Sequence, residues 1–418
     1  MSGRRIWEGA KTLLIVLLLC SAVYLAVSLI GQLVSGQSLG TRLGKTLGWI
    51  PAELPYSQRS ENYTAAAMPL TISMTGELGR GSTQGDPERT AALYDALSRQ
   101  LGEALANAGM PVALEADDWQ RLLSGESATL LYAGQIPLES LAYWLGASPA
   151  HALEGLTAEH LTLCVDGNQV SLLLQTDHWL CLGTGIDPEG LRQVLDLCRP
   201  DGSVFAMEDE SYARIAPMSL ITVNTTMSLA EGSNALADGD RIDAAATLLG
   251  LNPYRDTAYT SAAGTVTITG STGKLQVTSG GVLDYTASAE NIHIAANRND
   301  TGIIEFARVL LAQLSQESDS DAELQLSALL RDGSMVKVQF DYVLNGYPLR
   351  QQQAPAAELI FRDGKLHSLR WTARSYRNTE ESLSLLSARQ AAHIITEHSR
   401  LEAAYIDTGS ELVCGWLE

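Results

Sequence analysis

A long apolar run lies near the start of the chain. Residues 12–34 read TLLIVLLLCSAVYLAVSLIGQLV and carry no charged side chain. About 20 such residues cross the hydrocarbon core of a bilayer as a helix, whereas the apolar stretch of a cleavable signal peptide spans only ~7–15 residues. The pattern therefore predicts one uncleaved transmembrane helix, preceded by a short tail at 1–11 and followed by a linker at 35–60.

Beyond the linker, helical and strand-like patterns alternate. Leu93, Leu97, Leu101 and Leu105 repeat every four residues, which is typical of an amphipathic helix, and the pair Asp86-Pro87 suits its start. Shorter runs of apolar and β-branched residues flank this helix and indicate strands. We therefore predict an N-terminal α/β domain at 61–225, with strands at 68–75, 127–133, 160–166, 169–177 and 178–183 and helices at 86–109, 119–123, 137–145 and 187–197.

Two segments in the second half of the chain share one pattern. Each begins with Leu-Asn, at 251–252 and at 344–345, and continues with a strand, a Gly-Lys-Leu turn and a second strand. The polar stretch 231–240 before them reads as a linker. These patterns predict a middle sheet-plus-helix domain at 240–316 and a C-terminal one at 320–418. The predicted strands are 264–269, 274–278, 282–288, 335–344, 357–361 and 366–376, and the predicted helices are 244–249, 303–314 and 387–395.

The expected fold class is therefore α+β. A single N-terminal transmembrane helix is followed by a multi-domain ectodomain of antiparallel sheets with flanking helices.

The charge distribution gives the expected membrane topology. Arg4, Arg5 and Lys11 precede the apolar run and Glu8 is the one acid there, so this tail carries +2. Basic residues favour the cytoplasmic side, so the N-terminus is expected in the cytoplasm and the large domain outside. The whole chain has a formal net charge of −20, and the rest therefore carries −22. Such a charge repels phosphate backbones, so we expect no nucleic-acid partner.

Five cysteines are spread along the chain without any Cys-x-x-Cys pair. This spacing argues against a zinc knuckle or a thioredoxin-type site. Cys164 and Cys181 fall in neighbouring strand-like runs, so they can form a disulfide outside the cytoplasm. The alternative is that they are small buried thiols.

Several short motifs resemble catalytic or metal-binding sequences. Ser271 and Lys274 fit Ser-x-x-Lys, but they join two strand-like runs and are expected to form a hairpin turn. Asp319 and Asp321 lie in a polar loop that lacks the glycine and distal glutamate of a calcium site. The seven histidines show no metal-ligand spacing. We expect no enzyme activity, cofactor or metal, although two carboxylates meeting in space as acid and base remain an open alternative.

Several sequence phrases resemble one known family. They are the anchor W-x-x-AKTLLIVLLL, the helix ALYDALSRQLGEALANA followed by DDWQRLL, the segment YAGQIPLESL, and the final LNGYP…FRDGKLHSLRWTARSY…LLSARQAAHII. Together they are similar to the YycH family and its relative YycI. These are membrane-anchored extracytoplasmic regulators of the WalK-type sensor histidine kinase in Gram-positive cell envelopes. The region 320–418 is the part most like the fold that this family shares.

The resemblance implies a regulator that contacts the kinase through both the membrane helix and the ectodomain, with a related YycI-like protein as a further partner. In the anchor, the small residues Ala22, Ala26, Ser28 and Gly31 are the candidates for helix packing, because close approach of helices in lipid requires small side chains. The alternative is that the anchor packs against no other helix, since small residues also occur in such anchors. The alternative function is a membrane-anchored extracytoplasmic ligand-binding or cell-wall-assembly protein.

Overall fold

The computed structural model describes residues 66–417, except 177, 224, 290–292, 294, 296–297, 317, 353–354 and 395–399. All of these residues belong to one compact unit, Tyr56–Glu418. Among the residues described, no helix is both long and apolar enough to cross a bilayer. The predicted span at 12–34 lies outside the described residues and stays a prediction.

The described part of the chain contains seven α-helices, three short 3-10 helices and 22 strands. The helices are α1 (Pro87–Asn107), α2 (Ala116–Ser124), α3 (Leu138–Trp144), α4 (Glu189–Leu195), α5 (Gly239–Leu248), α6 (Asp300–Ser315) and α7 (Ala388–Ala392). The first strands are β1 (Thr71–Gly76), β2 (Gly79–Ser82), β3 (Val112–Ala113), β4 (Ser127–Pro137), β5 (Thr157–Asp166), β6 (Gln169–Gln175), β7 (Trp179–Ile186), β8 (Val204–Phe205), β9 (Leu220–Ile221) and β10 (Thr226–Asn234).

The remaining strands follow in chain order. They are β11 (Thr257–Thr260), β12 (Val266–Thr269), β13 (Gly273–Val277), β14 (Val282–Ala287), β15 (Glu323–Asp332), β16 (Met335–Leu344), β17 (Tyr347–Gln351), β18 (Ala357–Arg362), β19 (Lys365–Thr372), β20 (Arg374–Ser384), β21 (Glu402–Asp407) and β22 (Leu412–Leu417).

The first half of the described chain builds a seven-stranded antiparallel sheet in the order β2-β1-β4-β5-β6-β7-β3. Helix α1 begins where the Asp86 side chain accepts a hydrogen bond from the backbone of Arg89, with Pro87 in the first turn. Its leucine stripe is buried, including Leu97 and Leu101. The helix packs against β1 and β7 through this stripe.

The second half builds an eleven-stranded sheet in the order β11-β12-β13-β14-β19-β18-β16-β17-β21-β22, with β15 also paired to β16. Its pairs are antiparallel except β17–β21, which is parallel. The pair β14–β19 joins the predicted middle and C-terminal segments in this one sheet. The domain boundaries in the sequence interpretation stay predictions.

A two-stranded ribbon, β10–β20, connects residues far apart in sequence, from Thr226 opposite Ser384 to Asn234 opposite Arg374. Met227 and Ala230 of β10 share a core with Tyr376 of β20 and with side chains of the eleven-stranded sheet. The expectation of a linker at 231–240 was wrong for its first residues, because Glu231–Asn234 form part of this ribbon.

The two large sheets meet where β4 packs against β15. Leu70, Ala133 of β4 and Val343 of β16 form a small buried cluster at this junction. The backbone of Leu70 also donates a hydrogen bond to the carbonyl of Leu131, at 2.8 Å. Residues from both halves therefore share one continuous interior.

The predicted α+β class with mainly antiparallel sheets is confirmed. The hairpin turn expected at Ser271–Lys274 is also confirmed, because it connects two paired strands. Gly167-Asn168 and Asp363-Gly364, two dipeptides typical of hairpin turns, likewise each connect two paired strands. One predicted strand at 366–376 is in fact two strands, β19 and β20, separated at Ala373. The glycine-rich segment after β1 contains a further strand that was not predicted, β2.

Candidate interaction surface and buried polar sites

An apolar groove of about 490 Å³ lies along β22. We call it the edge groove. Its walls come from the end of β20 and the residues after it, from α7 with the residues that follow, and from β22 itself. The lining residues are Leu383, Ser384, Leu385, Leu386, Ala391, Ile394, Cys414, Gly415, Trp416 and Leu417.

The strand that borders the edge groove is the last strand of the eleven-stranded sheet. On one side β22 pairs with β21, from Glu402 opposite Leu417 to Asp407 opposite Leu412. On its other side, no backbone hydrogen bond links it to any residue that the structure describes. Its sequence, LVCGWL, has neither a charged residue nor a proline. Edge strands of soluble proteins usually carry such residues to prevent pairing with other chains, and β22 lacks them. Residues of β10 lie close to β22 without pairing with it.

The groove walls are held in place by packing beneath them. The Trp416 indole donates a hydrogen bond to the backbone carbonyl of Leu386, at 2.9 Å. The Ser387 side chain and Gln390 form a capping box at the start of α7, and the alanines of α7 are buried. In contrast, Leu386 is 58% exposed and Ile394 is 74% exposed. The groove therefore presents large apolar side chains to solvent on a fixed frame.

The charged residues next to the groove-lining segments along the sequence of β20 and β22 are mainly acidic, and we call them the acidic rim. Glu380 and Glu381 on β20 and Glu411 just before β22 are exposed. The cation Arg389 on α7 is 3.5 Å from the carboxylate of Asp209 and is therefore partly neutralised. An apolar floor with an acidic rim is suited to bind an apolar segment that carries basic residues at its ends.

A second cavity, of about 280 Å³, lies between α6 and β15. Two arginines line it, but each is already bound to a carboxylate. Arg308 contacts both oxygens of Glu305, at 3.0 and 2.9 Å, and Glu305 also accepts the Trp144 indole at 2.6 Å. Arg374 contacts both oxygens of Asp407, at 2.9 and 3.4 Å. Because each arginine is paired with a carboxylate, the two arginines give the cavity no strong positive charge.

The Arg374–Asp407 pair is part of a buried polar network. The Tyr376 hydroxyl donates to Asp407 at 2.7 Å, and the Gln351 amide donates to the Tyr376 hydroxyl at 2.8 Å. Burial raises the pKa of Tyr342 in the same network to about 12 and raises the pKa of Tyr376 further. Both hydroxyls stay protonated at neutral pH, so this network holds the sheet and the ribbon together through fixed hydrogen bonds.

The histidines and acidic pairs considered as metal ligands are dispersed. Throughout the described residues, no group of three or more His, Cys, Asp or Glu side chains has metal-binding geometry. His151 pairs with Glu154 at 3.0 Å on the surface. Asp319 binds Arg377, and Asp321 accepts the backbone N–H of Asn378 at 2.7 Å. Both loop aspartates therefore have protein partners.

Cys164 and Cys181, considered above as a disulfide pair, are free thiols. Cys164 lies opposite Ser171 of β6, and Cys181 lies opposite Leu173 of the same strand. Because β6 separates them by two strand spacings, of ~4.8 Å each, their Cα atoms are too far apart for a disulfide. Burial raises the pKa of both thiols. Cys164 therefore fits the alternative of a small buried thiol, and Cys181 is a partly buried free thiol.

No family model, curated protein or solved structure matches this chain. The resemblance to the YycH family therefore stays a prediction.

The helix-packing residues named from the sequence, Ala22, Ala26, Ser28 and Gly31, lie outside the described residues. The sequence interpretation did not identify the edge groove. The one available signal was LVCGWL, a six-residue β-prone stretch without charge or proline.

Proposed function

We propose that the chain is a membrane-anchored extracytoplasmic accessory protein that regulates a cell-envelope sensor histidine kinase by protein–protein contact. The edge groove is the observation that carries this proposal. It combines a strand edge that has no backbone partner among the described residues with exposed Leu386 and Ile394, and the Trp416–Leu386 hydrogen bond ties its walls together. Contiguous exposed apolar surfaces of this kind typically mark binding sites for other proteins.

The regulatory role is tested by complementing a deletion of the gene. The readout is a reporter driven by a target promoter of the kinase. Wild-type protein and the control Leu330→Asp, at a site on β15 that is 53% exposed, are expected to restore normal output. Leu386→Asp is expected to behave like the deletion, because a charge in the groove opposes apolar docking. If both variants give the same reporter output at matched protein levels, the groove has no part in regulation.

The apolar run 12–34 supports attachment to the membrane with the N-terminus in the cytoplasm. This topology is tested with single cysteines introduced at Ser2 and Ser410, using an impermeant maleimide on intact cells. We expect labelling above the background of the native cysteines only for Ser410→Cys. Labelling of Ser2→Cys alone would show that the N-terminus lies outside the cell and the large domain lies in the cytoplasm.

The anchor is proposed to contact a kinase helix through its small residues Ala22, Ala26, Ser28 and Gly31. Differential contacts worth ~1–3 kcal/mol are enough for severalfold changes in signalling. The double variant Ala22→Leu/Ala26→Leu is expected to change kinase output while the protein still inserts. The control introduces the same two leucines at positions that are already large, Val16→Leu/Val23→Leu, and adds only one methylene group at each. If both double variants signal like the wild type, regulation runs through the ectodomain.

An anchored ligand-binding or cell-wall-assembly protein is the second candidate function. The cavity between α6 and β15 is the observation that favours it, because its volume is close to the lower limit of small-molecule sites. Gene deletion separates the two functions. Altered wall precursors together with unchanged target promoters would favour the second.

A further inference from the structure

We infer that the edge groove binds an extended segment of another protein, which adds to the eleven-stranded sheet as a new strand beside β22. This inference rests on the proposed function, because it names the kind of partner that the groove would take. The expected segment has apolar side chains at alternate positions and Lys or Arg at its ends.

The backbone of β22 provides the first part of the argument. Six residues, Leu412–Leu417, form a regular antiparallel pair with β21. In such a ladder, alternate residues point their N–H and C=O groups to opposite sides. The groups that point away from β21 have no backbone partner among the described residues. A strand of similar length placed there would complete the ladder, which is how an extended peptide binds an exposed sheet edge.

The side chains around the groove provide the second part. Successive side chains of an added strand point to opposite faces of the sheet. On one face they would meet the wall formed by Leu385, Leu386 and Trp416, and Ile394 closes another side of the same groove. The Trp416–Leu386 hydrogen bond fixes this wall before any partner binds. Apolar side chains at alternate positions therefore match the groove.

Charge selects among the candidate occupants. Glu381 and Glu411 lie at the rim, and the whole chain carries −20. A second copy of this chain would bring the same acidic rim and the same net charge against this one, which is unfavourable. A strand with Lys or Arg at its ends would instead pair with the rim glutamates. The observations thus favour a basic-ended apolar strand from a different protein.

The test uses the full chain in lipid nanodiscs and a fluorescein-labelled peptide, Lys-Leu-Thr-Leu-Thr-Leu-Lys, with binding measured by fluorescence anisotropy. Wild-type protein and Leu330→Asp should bind the peptide equally. Leu386→Asp should bind it about tenfold more weakly, a difference of ~1.4 kcal/mol. A peptide with Glu in place of both Lys residues should also bind more weakly, and raising the salt concentration should reduce this difference.

Two further peptides test the strand geometry directly. One carries N-methyl groups on the amides of the leucines and the other on those of the threonines. Because only alternate amides of a docked strand face β22, one of these peptides should lose binding and the other should keep it. If both N-methylated peptides bind as well as the unmodified peptide while Leu386→Asp still binds weakly, the peptide docks through side chains without adding a strand. That result would overturn the inference.

The remaining outcomes separate this inference from the proposed function. If Leu386→Asp weakens peptide binding but leaves kinase output unchanged, the groove binds an extended segment and the proposed role in kinase regulation is wrong. If Leu386→Asp abolishes regulation but the wild-type protein does not bind the peptide, the regulatory role holds and strand addition is rejected. A dimer of the full chain that Leu386→Asp dissociates, measured by sedimentation, would identify a second copy as the occupant and overturn the inference.

Discussion

Gly134 of β4 lies directly against the backbone of Ser327 in β15. A Cβ atom at position 134 would overlap the carbonyl oxygen of Ser327. Ser327 is at an irregularity in β15, where the register with β16 shifts between Leu326 and Ala328. The contact lies at the junction of the two large sheets, so the close approach of these sheets depends on a residue without a side chain.

Replacing Gly134 with alanine should therefore destabilise the protein. A backbone oxygen cannot rotate away as a side chain can, so the sheets must separate locally. We expect a loss of about 1–3 kcal/mol in the free energy of unfolding, measured with urea. The control is Gly239→Ala at the start of α5, where an added Cβ has no neighbour within 4 Å. That variant should be neutral or slightly stabilising. Equal effects of the two substitutions would contradict the steric argument.

Asp407→Asn should cost much more stability than the same change at an exposed pair. Asp407 accepts hydrogen bonds from Arg374 and Tyr376 in the interior, so its loss leaves a buried guanidinium without its counter-charge. We expect a loss of about 3–5 kcal/mol. Asp319→Asn removes the partner of Arg377 at a surface where the Asp319 side chain is 77% exposed, and it should cost below about 1 kcal/mol. Chemical denaturation of both variants gives the comparison.

His160 should make stability depend on pH in the acid range. Burial, together with the positive charge of Arg400, lowers the pKa of His160 from 6.5 to about 4. Between these values the unfolded chain binds a proton that the folded chain does not, so folding weakens as the pH falls. Above pH 6.5 the imidazole is neutral in both states and contributes no slope.

His160 changes the free energy of unfolding by at most about 1.4 kcal/mol per pH unit. The variant His160→Gln should therefore lose less stability than the wild type between pH 6.5 and 4.5, as measured by urea unfolding. A wild-type slope in His160→Gln would refute this assignment.

Cys164 should be unreactive in the folded protein. Its side chain is fully buried, and burial raises the pKa of the thiol, so little thiolate is available to react. Alkylation with iodoacetamide at pH 8 should modify Cys164 only after unfolding, as read by peptide mass spectrometry. Digestion without reducing agent by a protease that cuts before aspartate, at Asp166 and Asp177, should yield Cys164 and Cys181 on separate peptides. A bridged peptide would contradict the position of β6 between them.

The elements that were predictable from the sequence are those with a local signal. Helix α1 has a regular leucine stripe and an Asp-Pro start, and the turn at Asp363-Gly364 has a strong hairpin sequence. In contrast, β10 reads TMSLAEGSN, a largely polar stretch whose partner β20 lies far along the chain. Its pairing depends on tertiary structure, so local pattern alone gave a linker instead.

The break between β19 and β20 has a similar origin. Ala373 bonds through its carbonyl to the N–H of Ala235, at 3.0 Å, and through its N–H to the carbonyl of Gly281, at 2.9 Å. These partners come from other parts of the chain, so the sequence around Ala373 shows no interruption. The edge groove could not be predicted from the sequence either, because its walls come from three separate segments. Only the lack of charge and proline in β22 was visible locally.

The ribbon β10–β20 has a consequence for how the chain can be divided. Its two strands enclose residues 235–373, so a cut inside that span leaves one strand of the ribbon on each fragment. Residues 261–264 between β11 and β12 are exposed and suit such a cut. Fragments ending at 262 and beginning at 263 would each be left with unpaired strands and open cores, yet they remain complementary through β10–β20 and the packing of β4 on β15. The molecule is thus suited to reassembly from two separately produced halves.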